Sequence, residues 1–213
     1  MRSYKGIFFT ERSNPGLARQ MFDFRTELFV KELGWSVPMQ GGIERDQFDT
    51  SDAVYCALIE DGELIGSFRA ISCTHPYLAR TIFPHLATLE SYPVSPDAAE
   101  ISRLGVKSGR STASVLLYSL MIRFGVYTNA SRLVALVELS HERLLNKIGL
   151  KTVRYGETQI VGFKDDGTWI LGVAGEIPIN AQESANLNRI IHLTREMEIR
   201  DETEIFGRQR LSA

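Results

Sequence analysis

Cysteine and long apolar runs are scarce in this sequence, and both absences limit what the chain can be. Cys56 and Cys73 are its only two cysteines, and each lies in an apolar, strand-like segment. We expect buried thiols in a reducing compartment rather than a disulfide, and the spacing does not fit a zinc site. Residues 1–16 carry charges too early for a signal peptide. The most apolar stretch, ASVLLYSLMIRFGVY, is interrupted by Arg123 and is too short to span a bilayer. A cytoplasmic protein with no membrane segment is therefore expected.

An excess of charge of one sign is also missing. The formal net charge is -2 over 213 residues, and the basic residues are scattered along the chain. Because a nucleic-acid-binding surface needs a basic stripe, we expect no nucleic-acid partner. With 44% hydrophobic and 23% charged residues, the chain can bury a full core. No repeat or linker divides it, which predicts one domain over residues 1–213 with a polar tail from about residue 200.

The hydrophobic pattern predicts an α/β (α+β) fold with a mixed central sheet and helices on both faces. GIFFT reads as a first strand, and a helix over about 16–33 ends at Gly34. The segment 53–72 predicts a hairpin that turns at Asp61-Gly62. Further strands are expected at 99–107, 132–139, 151–162 and 168–174, with helices within 77–90 and at about 111–129, 140–149 and 183–199. This order is similar to the GNAT acyltransferase fold, in which two central strands splay apart to admit an acyl thioester.

Arg25 lies in the middle of the apolar face of the first helix. Its stem could cover apolar surface while its head reaches water. A buried guanidinium, by contrast, needs an anion. Phe29 lies one turn later on the same face, so the two side chains can line one pocket.

The loop GGIERDQFD supplies three acids, Glu44, Asp46 and Asp49. Phe48 and Trp35 are interleaved with them. Carboxylates beside aromatic rings suit a cationic ligand, because the acids supply charge and the rings supply a cation–π interaction. There are two alternatives: the acids are a solvated loop, or they pair internally with Arg25.

Two strands carry further charges: Arg69 in LIGSFRAIS, and Glu100 with Arg103 in AEISRLG. Residues three apart on a regular strand point to opposite faces. If Glu100 and Arg103 serve one site, a β-bulge must lie between them. We expect an ion-pair network that also forms the wall of a site, with three residues of each sign: Arg25, Arg69 and Arg103 against Asp46, Asp49 and Glu100.

Together these residues resemble the LuxI-type acyl-homoserine-lactone synthases, the autoinducer synthases of bacterial quorum sensing. The order and spacing of the family's motif match from about residue 20 to residue 110, half of the chain. The motif contains an R-x-x-x-F step, a tryptophan after Leu-Gly, the pattern E-x-D-x-x-D, a hairpin arginine, a phenylalanine before proline and an E-x-S-R strand. In this sequence it reads Arg25, Phe29, Trp35, Asp46, Asp49, Arg69, Phe83, Glu100 and Arg103.

The resemblance implies S-adenosyl-L-methionine (SAM) as a substrate and an acyl thioester, on acyl-carrier protein (ACP) or CoA, as the donor. The SAM amine would attack the thioester, and lactone closure would release 5′-methylthioadenosine, with no cofactor and no metal. Glu100 is the first candidate for the base, and the implied catalytic set is Glu100, Asp46, Arg103 and Arg69. The implied SAM-binding set is Arg25, Phe29, Trp35, Asp46, Asp49, Phe83 and Arg103.

The acyl chain is expected between the splayed strands 99–106 and 133–139 and over the helix 112–127. Leu139 stands where many members carry a threonine associated with 3-oxo-acyl products. An unpaired buried carbonyl costs on the order of 1–3 kcal/mol, so we expect a preference for donors unsubstituted at that carbon. The expected wall residues are Leu104, Val106, Leu116, Leu120, Val137, Leu139 and Leu144.

A cluster of cations after Ser140 could dock an acidic carrier protein. The alternative is an ordinary helix end, where the dipole favours cations. The cluster contains Arg143, Lys147, Lys151 and Arg154.

Two other functions are alternatives. A GNAT-type N-acetyltransferase would need a glycine-rich pyrophosphate loop near 106–113, but VKSGRSTA contains one glycine. A non-catalytic sensor that binds SAM or acyl chains would not require the complete charged set.

Overall fold

The structure, a computed structural model, describes residues 2–203 apart from the side chain of residue 111. The helices are α1 (Pro15–Arg25), α2 (Leu78–Ile82), α3 (Ser111–Tyr127), α4 (Leu139–Lys147) and α5 (Ser184–His192), with a π-helical segment at Thr26–Glu32 and 3-10 turns at Pro84–Leu86 and Ile179–Ala181. The strands are β1 (Tyr4–Phe9), β2 (Met39–Gln40), β3 (Ile43–Glu44), β4 (Val54–Glu60), β5 (Glu63–Ser72), β6 (Ala98–Val106), β7 (Arg132–Glu138), β8 (Val153–Arg154), β9 (Gln159–Phe163), β10 (Trp169–Pro178) and β11 (Glu198–Asp201).

Nine of these strands form one mixed sheet in the order β11-β1-β4-β5-β6-β7-β10-β8, with β9 also on β10. The pairs β1–β11 and β6–β7 are parallel, and the other pairs are antiparallel. Side chains alternate between the two faces of β4, so Cys56 joins one core and Tyr55 joins the other. Helices α3 and α5 cover the first face, and α1 and α2 cover the second. The prediction of a mixed sheet with helices on both faces is confirmed.

The hairpin between β4 and β5 turns at the predicted pair. Asp61 and Gly62 both have a positive φ, +50° and +88°. This is the backbone of a type I′ turn, which matches the right-handed twist of the strands.

The first helix differs from the prediction of one α-helix over 16–33. The side chain of Asn14 accepts the N–H of Leu17 at 3.0 Å and caps α1, but α-helical bonding ends at Arg25. The hydroxyl of Thr26 then accepts the N–H of Glu44 at 2.8 Å and donates to a carbonyl of α1. Thr26 therefore ties the acidic loop to the start of the π-helical segment.

Strands β6 and β7 are paired only at their first three residues. Their parallel register runs from Ala98–Arg132 to Glu100–Val134, and the strands diverge beyond that point. The splayed pair predicted from the order of elements is therefore present. It leaves a gap through the middle of the sheet.

A β-bulge lies in β6 at the position that the charge pattern required. The pairing with β5 changes register between Ser67–Gly105 and Arg69–Ser102, which leaves Arg103 and Leu104 opposite one residue. Arg103 has a φ of +53°, which is unusual for a side chain of its size. The bulge brings Glu100 and Arg103 to one site although they are three residues apart.

The C-terminal prediction needs correction. The last helix ends at His192 rather than near 199, and β11 follows, pairing with β1 through Lys5–Glu198. This strand ends at Asp201, close to the predicted start of the polar tail at about residue 200, and residues 204–213 of that prediction lie outside the described residues. The strand predicted over 151–162 is divided into β8 and β9. Within residues 2–203, no helix has the length and apolar character needed to cross a membrane.

Candidate active site

Arg25 is completely buried, which excludes the alternative that its head reaches water and supports the anion-paired one. Its Nη1 and Nη2 donate to the two carboxylate oxygens of Asp49 at 2.8 and 3.0 Å. Its Nε donates to Glu44. A buried guanidinium requires such partners, because an uncompensated buried charge is very costly.

The same acids also bind two other arginines. Arg69 donates through Nη2 to Asp46 at 3.2 Å and lies 3.0 Å from Asp49 through Nη1. Arg103 donates to Glu44 through Nε and to Asp46 through Nη2, both at 2.8 Å. Each carboxylate therefore bridges two guanidiniums. The six residues form a closed arginine–carboxylate ring: Arg25, Glu44, Arg103, Asp46, Arg69 and Asp49.

The ring confirms that a three-by-three ion-pair network exists, but one predicted member is wrong. The third acid is Glu44, which is fully buried, and not Glu100. Glu44 belongs to β3, a strand of two residues whose one partner among the described strands is β2. So short a strand leaves no periodic signal, although the E-x-D-x-x-D spacing does contain this glutamate.

Burial and pairing act in opposite directions on the carboxylate of Asp49. Burial alone would raise the pKa of Asp49, but the hydrogen bond from Arg25 and the charge of Arg69 hold it well below its usual range. The hydroxyl of Tyr55 donates to the same carboxylate at 3.1 Å. Asp49 is therefore an ionised structural centre of the ring.

A cavity of about 390 Å³ crosses the gap between β6 and β7. Its charged half is bordered by Phe29, Trp35, Asp46, Phe83, Glu100 and Arg103. Its apolar half is bordered by side chains from β7, α3, α4 and β10. Three predicted substrate contacts, Arg25, Asp49 and Arg69, do not border it. They support the wall from behind, a position that does not favour the predicted direct contact with a ligand.

Glu100 occupies a different position from the ring acids. Its carboxylate accepts the backbone N–H groups of Ala79 at 2.7 Å and Leu78 at 3.0 Å. Burial raises the pKa of Glu100, although these N–H groups and the nearby arginines oppose that effect. Glu100 is thus the carboxylate of the charged half that no guanidinium of the described chain binds directly.

Aromatic side chains form another wall of the charged half. Phe29 and Trp35 are stacked, with ring centroids 5.2 Å apart. Phe48 lies beneath the guanidinium of Arg69 at 5.7 Å. Within the described residues, the indole Nε1 of Trp35 is buried without a hydrogen-bond partner. The wall therefore combines flat aromatic surface with a free donor.

The predicted acyl wall is only partly correct, because Leu104 and Val137 border the cavity and five other residues do not. Leu120 points the other way and packs against Gly6 of β1. Leu139 borders a separate shallow depression with Arg143 and Trp169. The other three belong to the core on the α3 and α5 face: Val106, Leu116 and Leu144.

Helices α3 and α4 instead contribute other faces to the apolar half. These faces present Tyr118, Met121, His141 and Leu145. The sequence alone did not identify them, since every face of α3 is rich in apolar residues and its rotation is set only by packing. The expectation about unsubstituted donors assumed that Leu139 faces the acyl chain. The position of Leu139 removes that basis.

The four cations predicted to dock a carrier protein are not equivalent. Arg154 pairs with Glu142 through two hydrogen bonds, the longer at 2.7 Å, and Lys151 lies 3.5 Å from Glu183. Arg143 and Lys147 are exposed and form no ion pair with a described residue. Docking therefore stays a prediction, and these last two residues are its best candidates.

The sequence profile described as autoinducer synthase matches residues 9–164. An acyl-homoserine-lactone synthase of Aeromonas salmonicida is 34% identical over 151 residues, which cover 67% of this chain and 72% of that protein. This chain belongs to the autoinducer-synthase family. A second relative, the acyl-homoserine-lactone synthase of Ralstonia nicotianae, is 32% identical over 150 residues, covering 65% of this chain and 74% of that protein.

Solved structures of autoinducer synthases share the fold. TofI, in a ternary complex with an inhibitor and MTA, matches with a TM-score of 0.74 and 28% identity over 89% of this chain and 99% of that chain. BjaI, a CoA-dependent acyl-homoserine lactone synthase with SAM and isopentyl-CoA, matches with a TM-score of 0.79 over 93% of both chains. At 20% identity, that second likeness concerns the fold alone. The predicted GNAT-like fold is confirmed, and the family favours a synthase over an N-acetyltransferase.

Proposed function

We propose that this autoinducer synthase transfers an acyl group from a thioester, carried by ACP or CoA, to the α-amine of SAM and then closes the lactone. One observation carries the proposal: a single cavity joins a charged, aromatic half to an apolar half through the gap between β6 and β7. SAM needs the first environment, and an acyl chain needs the second. The gap lets the SAM amine and the thioester carbonyl meet at the diverging strands.

The charge of the cavity wall suits SAM. The three arginines and three acids of the ring cancel, so Glu100 leaves one negative charge on the wall when it is ionised. SAM carries a sulfonium, an ammonium and a carboxylate, which is one net positive charge. Complementary charge of this kind favours binding in a partly desolvated site.

Arg103 is the best candidate to hold the SAM carboxylate. Its Nε and Nη2 bind ring acids, and no described residue accepts from its Nη1. An arginine fixed by two acids can offer its remaining N–H groups to a ligand carboxylate with little loss of side-chain entropy. The stacked rings of Phe29 and Trp35 can take the sulfonium or the adenine ring, with Phe83 as a further wall residue.

The structure favours Glu100 over Asp46 as the proton acceptor. Asp46 is bound by two guanidiniums and also accepts the N–H of Phe48 at 2.9 Å, so few of its lone pairs are free. From the described residues, Glu100 accepts only backbone N–H groups, and burial raises its pKa above that of an ordinary glutamate. It can take a proton from the SAM amine directly or through water.

The diverging strands supply a place for the thioester. The ladder between β6 and β7 ends at Glu100–Val134, so the facing edges beyond it do not bond to each other. Backbone N–H groups there can stabilise the oxyanion of the tetrahedral intermediate. Amide formation breaks the thioester C–S bond and releases the carrier thiol. A carboxylate oxygen of SAM then attacks the methionyl carbon bonded to sulfur, which closes the lactone, breaks that C–S bond and releases 5′-methylthioadenosine.

Expression of the chain in a bacterial host that makes no lactones tests this proposal. Mass spectrometry of the culture extract should detect homoserine-lactone fragments, and a strain expressing Arg103→Ala should show far less. Production in vivo distinguishes a synthase from a non-catalytic SAM- or acyl-binding sensor. If the folded wild-type protein yields no lactone in several hosts with different acyl pools, the sensor is the better description.

A further inference from the structure

The apolar half of the cavity contains a tyrosine–histidine pair that the proposed chemistry does not use. Tyr118 comes from α3 and His141 from α4, and both border the cavity beside Met121 and Leu145. The Tyr118 hydroxyl lies 2.5 Å from Nδ1 of His141, and the two rings meet edge to face at 6.3 Å. The pair is therefore a fixed polar feature in surroundings suited to hydrocarbon.

This pair keeps unused hydrogen-bonding capacity whichever tautomer is present. Burial lowers the pKa of His141, with only the charge of Glu138 opposing, so the imidazole is neutral near pH 7. A neutral imidazole has one donor and one acceptor, and a tyrosine hydroxyl can do both. Their mutual bond consumes one donor and one acceptor. One N–H or O–H donor and at least one acceptor then remain, and no other described residue bonds either side chain.

Two charged groups near this half already satisfy each other. Glu142 and Arg154 pair with each other through two hydrogen bonds, so they do not need a ligand. An unsubstituted acyl chain offers the Tyr118–His141 pair no hydrogen-bond partner, so wherever the chain displaces water from the pair, the spare donor is left unpaired. An oxygen on the acyl chain would satisfy that donor. Sites built around a polar partner discriminate strongly against analogues that lack it.

We propose that Tyr118 and His141 recognise an oxygen substituent, an oxo or hydroxyl group, on the acyl chain and make the enzyme prefer such donors over plain ones. The proposal rests on the proposed function, since it names the substrate class of the same site. Two kinds of donor carry this chemistry: an aliphatic chain with an oxygen near the thioester, and an aromatic acyl group with a phenol.

Competition between matched donors measures the preference. Purified enzyme receives SAM and pairs of thioesters of equal length, plain against 3-oxo, plain against 3-hydroxy, and phenyl against phenol. The product ratio in each pair gives the ratio of kcat/KM values. One oxygenated donor should exceed its plain partner by about tenfold or more. The pair of competing thioesters that shows the preference identifies which kind of donor is the natural one.

Variants connect the preference to the two residues. Tyr118→Phe and His141→Leu should each reduce the ratio by about tenfold, and the double variant should reduce it little further, because the two side chains act as a unit. His141→Asn can still bond to the tyrosine hydroxyl and should restore part of the ratio. Tyr4→Phe is the matched control. It removes a tyrosine hydroxyl bonded to Glu60 at 2.7 Å in β1, outside the cavity, and should leave the ratio unchanged.

A binding measurement keeps this inference separate from the proposed function. Isothermal titration with oxygenated and plain acyl-homoserine lactones, on wild type and on Tyr118→Phe, needs no turnover. Tighter binding of the oxygenated lactone that Tyr118→Phe abolishes supports the pair even if no donor reacts. Two results would overturn the inference. One is that wild type and Tyr118→Phe each bind the oxygenated and the plain lactone equally well; the other is a preference for plain donors that the variants do not alter. Thermal unfolding of each variant confirms that the protein tested is folded.

Discussion

Asp49→Asn tests whether the arginine–carboxylate ring supports the cavity wall. The wild-type carboxylate accepts from Arg25 at 2.8 and 3.0 Å, from the N–H of Asp46 at 2.9 Å and from Tyr55 at 3.1 Å, and it lies 3.0 Å from Arg69. Asparagine keeps the shape but removes the charge. Two arginines buried at 0% exposure would then share two carboxylates with Arg103 instead of three.

Removing one partner from a buried ion pair costs about 3–5 kcal/mol, because it leaves a buried charge uncompensated. For a chain of this size, each kcal/mol lowers Tm by about 2–4 °C, so the expected fall is roughly 6–20 °C. Asp52→Asn is the matched control in the same loop. Its side chain is half exposed, and such a substitution should change stability by no more than about 0.5 kcal/mol.

Urea unfolding followed by tryptophan fluorescence gives the difference in unfolding free energy between wild type and Asp49→Asn, at pH 7 and at lower pH. Because pairing holds the pKa of Asp49 below its usual range, its contribution is complete above the unfolded-state value of about 3.9. It is lost as the pH falls through that value towards the folded-state pKa. The difference in unfolding free energy between wild type and Asp49→Asn should therefore become smaller below about pH 4. A loss of unfolding free energy under about 1 kcal/mol at pH 7, or a loss that does not depend on pH, would refute the structural role of the ring.

Three further predictions concern the site. Glu100→Gln should lower turnover by about tenfold or more at neutral pH, since it removes the proposed base and keeps the shape; near-normal turnover would make Glu100 structural and favour Asp46. Leu145→Phe should move the preferred acyl chain to shorter lengths in a chain-length series, and an unchanged optimum would mean that the chain lies elsewhere. Reversing the charge of Arg143 and Lys147 should raise the apparent KM for acyl-ACP, less so at high salt, with small thioesters unaffected. An equal effect on both kinds of donor would contradict docking at these residues.

Local signals in the sequence predicted much of the fold. The Asp61-Gly62 pair specifies a type I′ turn by itself, since both residues tolerate a positive φ. The bulge at Arg103 followed from the alternation of strand faces once Glu100 and Arg103 were placed in one site. In both cases the decisive information lies within a few residues along the chain.

The errors arose where long-range packing decides the outcome. Glu44 joins the ring through a strand of two residues, which has no period to detect. Glu100 bonds to backbone N–H groups of α2, whose position depends on how that short helix meets the sheet. The apolar wall depends on the rotation of α3, and its sequence permits Leu116 and Leu120 as readily as Tyr118 and Met121.

The coupling of amide formation to lactone closure is the central chemical claim, and product stoichiometry tests it most directly. Purified protein is incubated with SAM labelled in its methionyl carbons and one acyl thioester that supports turnover. The proposal predicts labelled acyl-homoserine lactone and 5′-methylthioadenosine in equal amounts, both dependent on the thioester. Release of 5′-methylthioadenosine without an acyl donor, or an acylated product that retains the sulfonium, would contradict it.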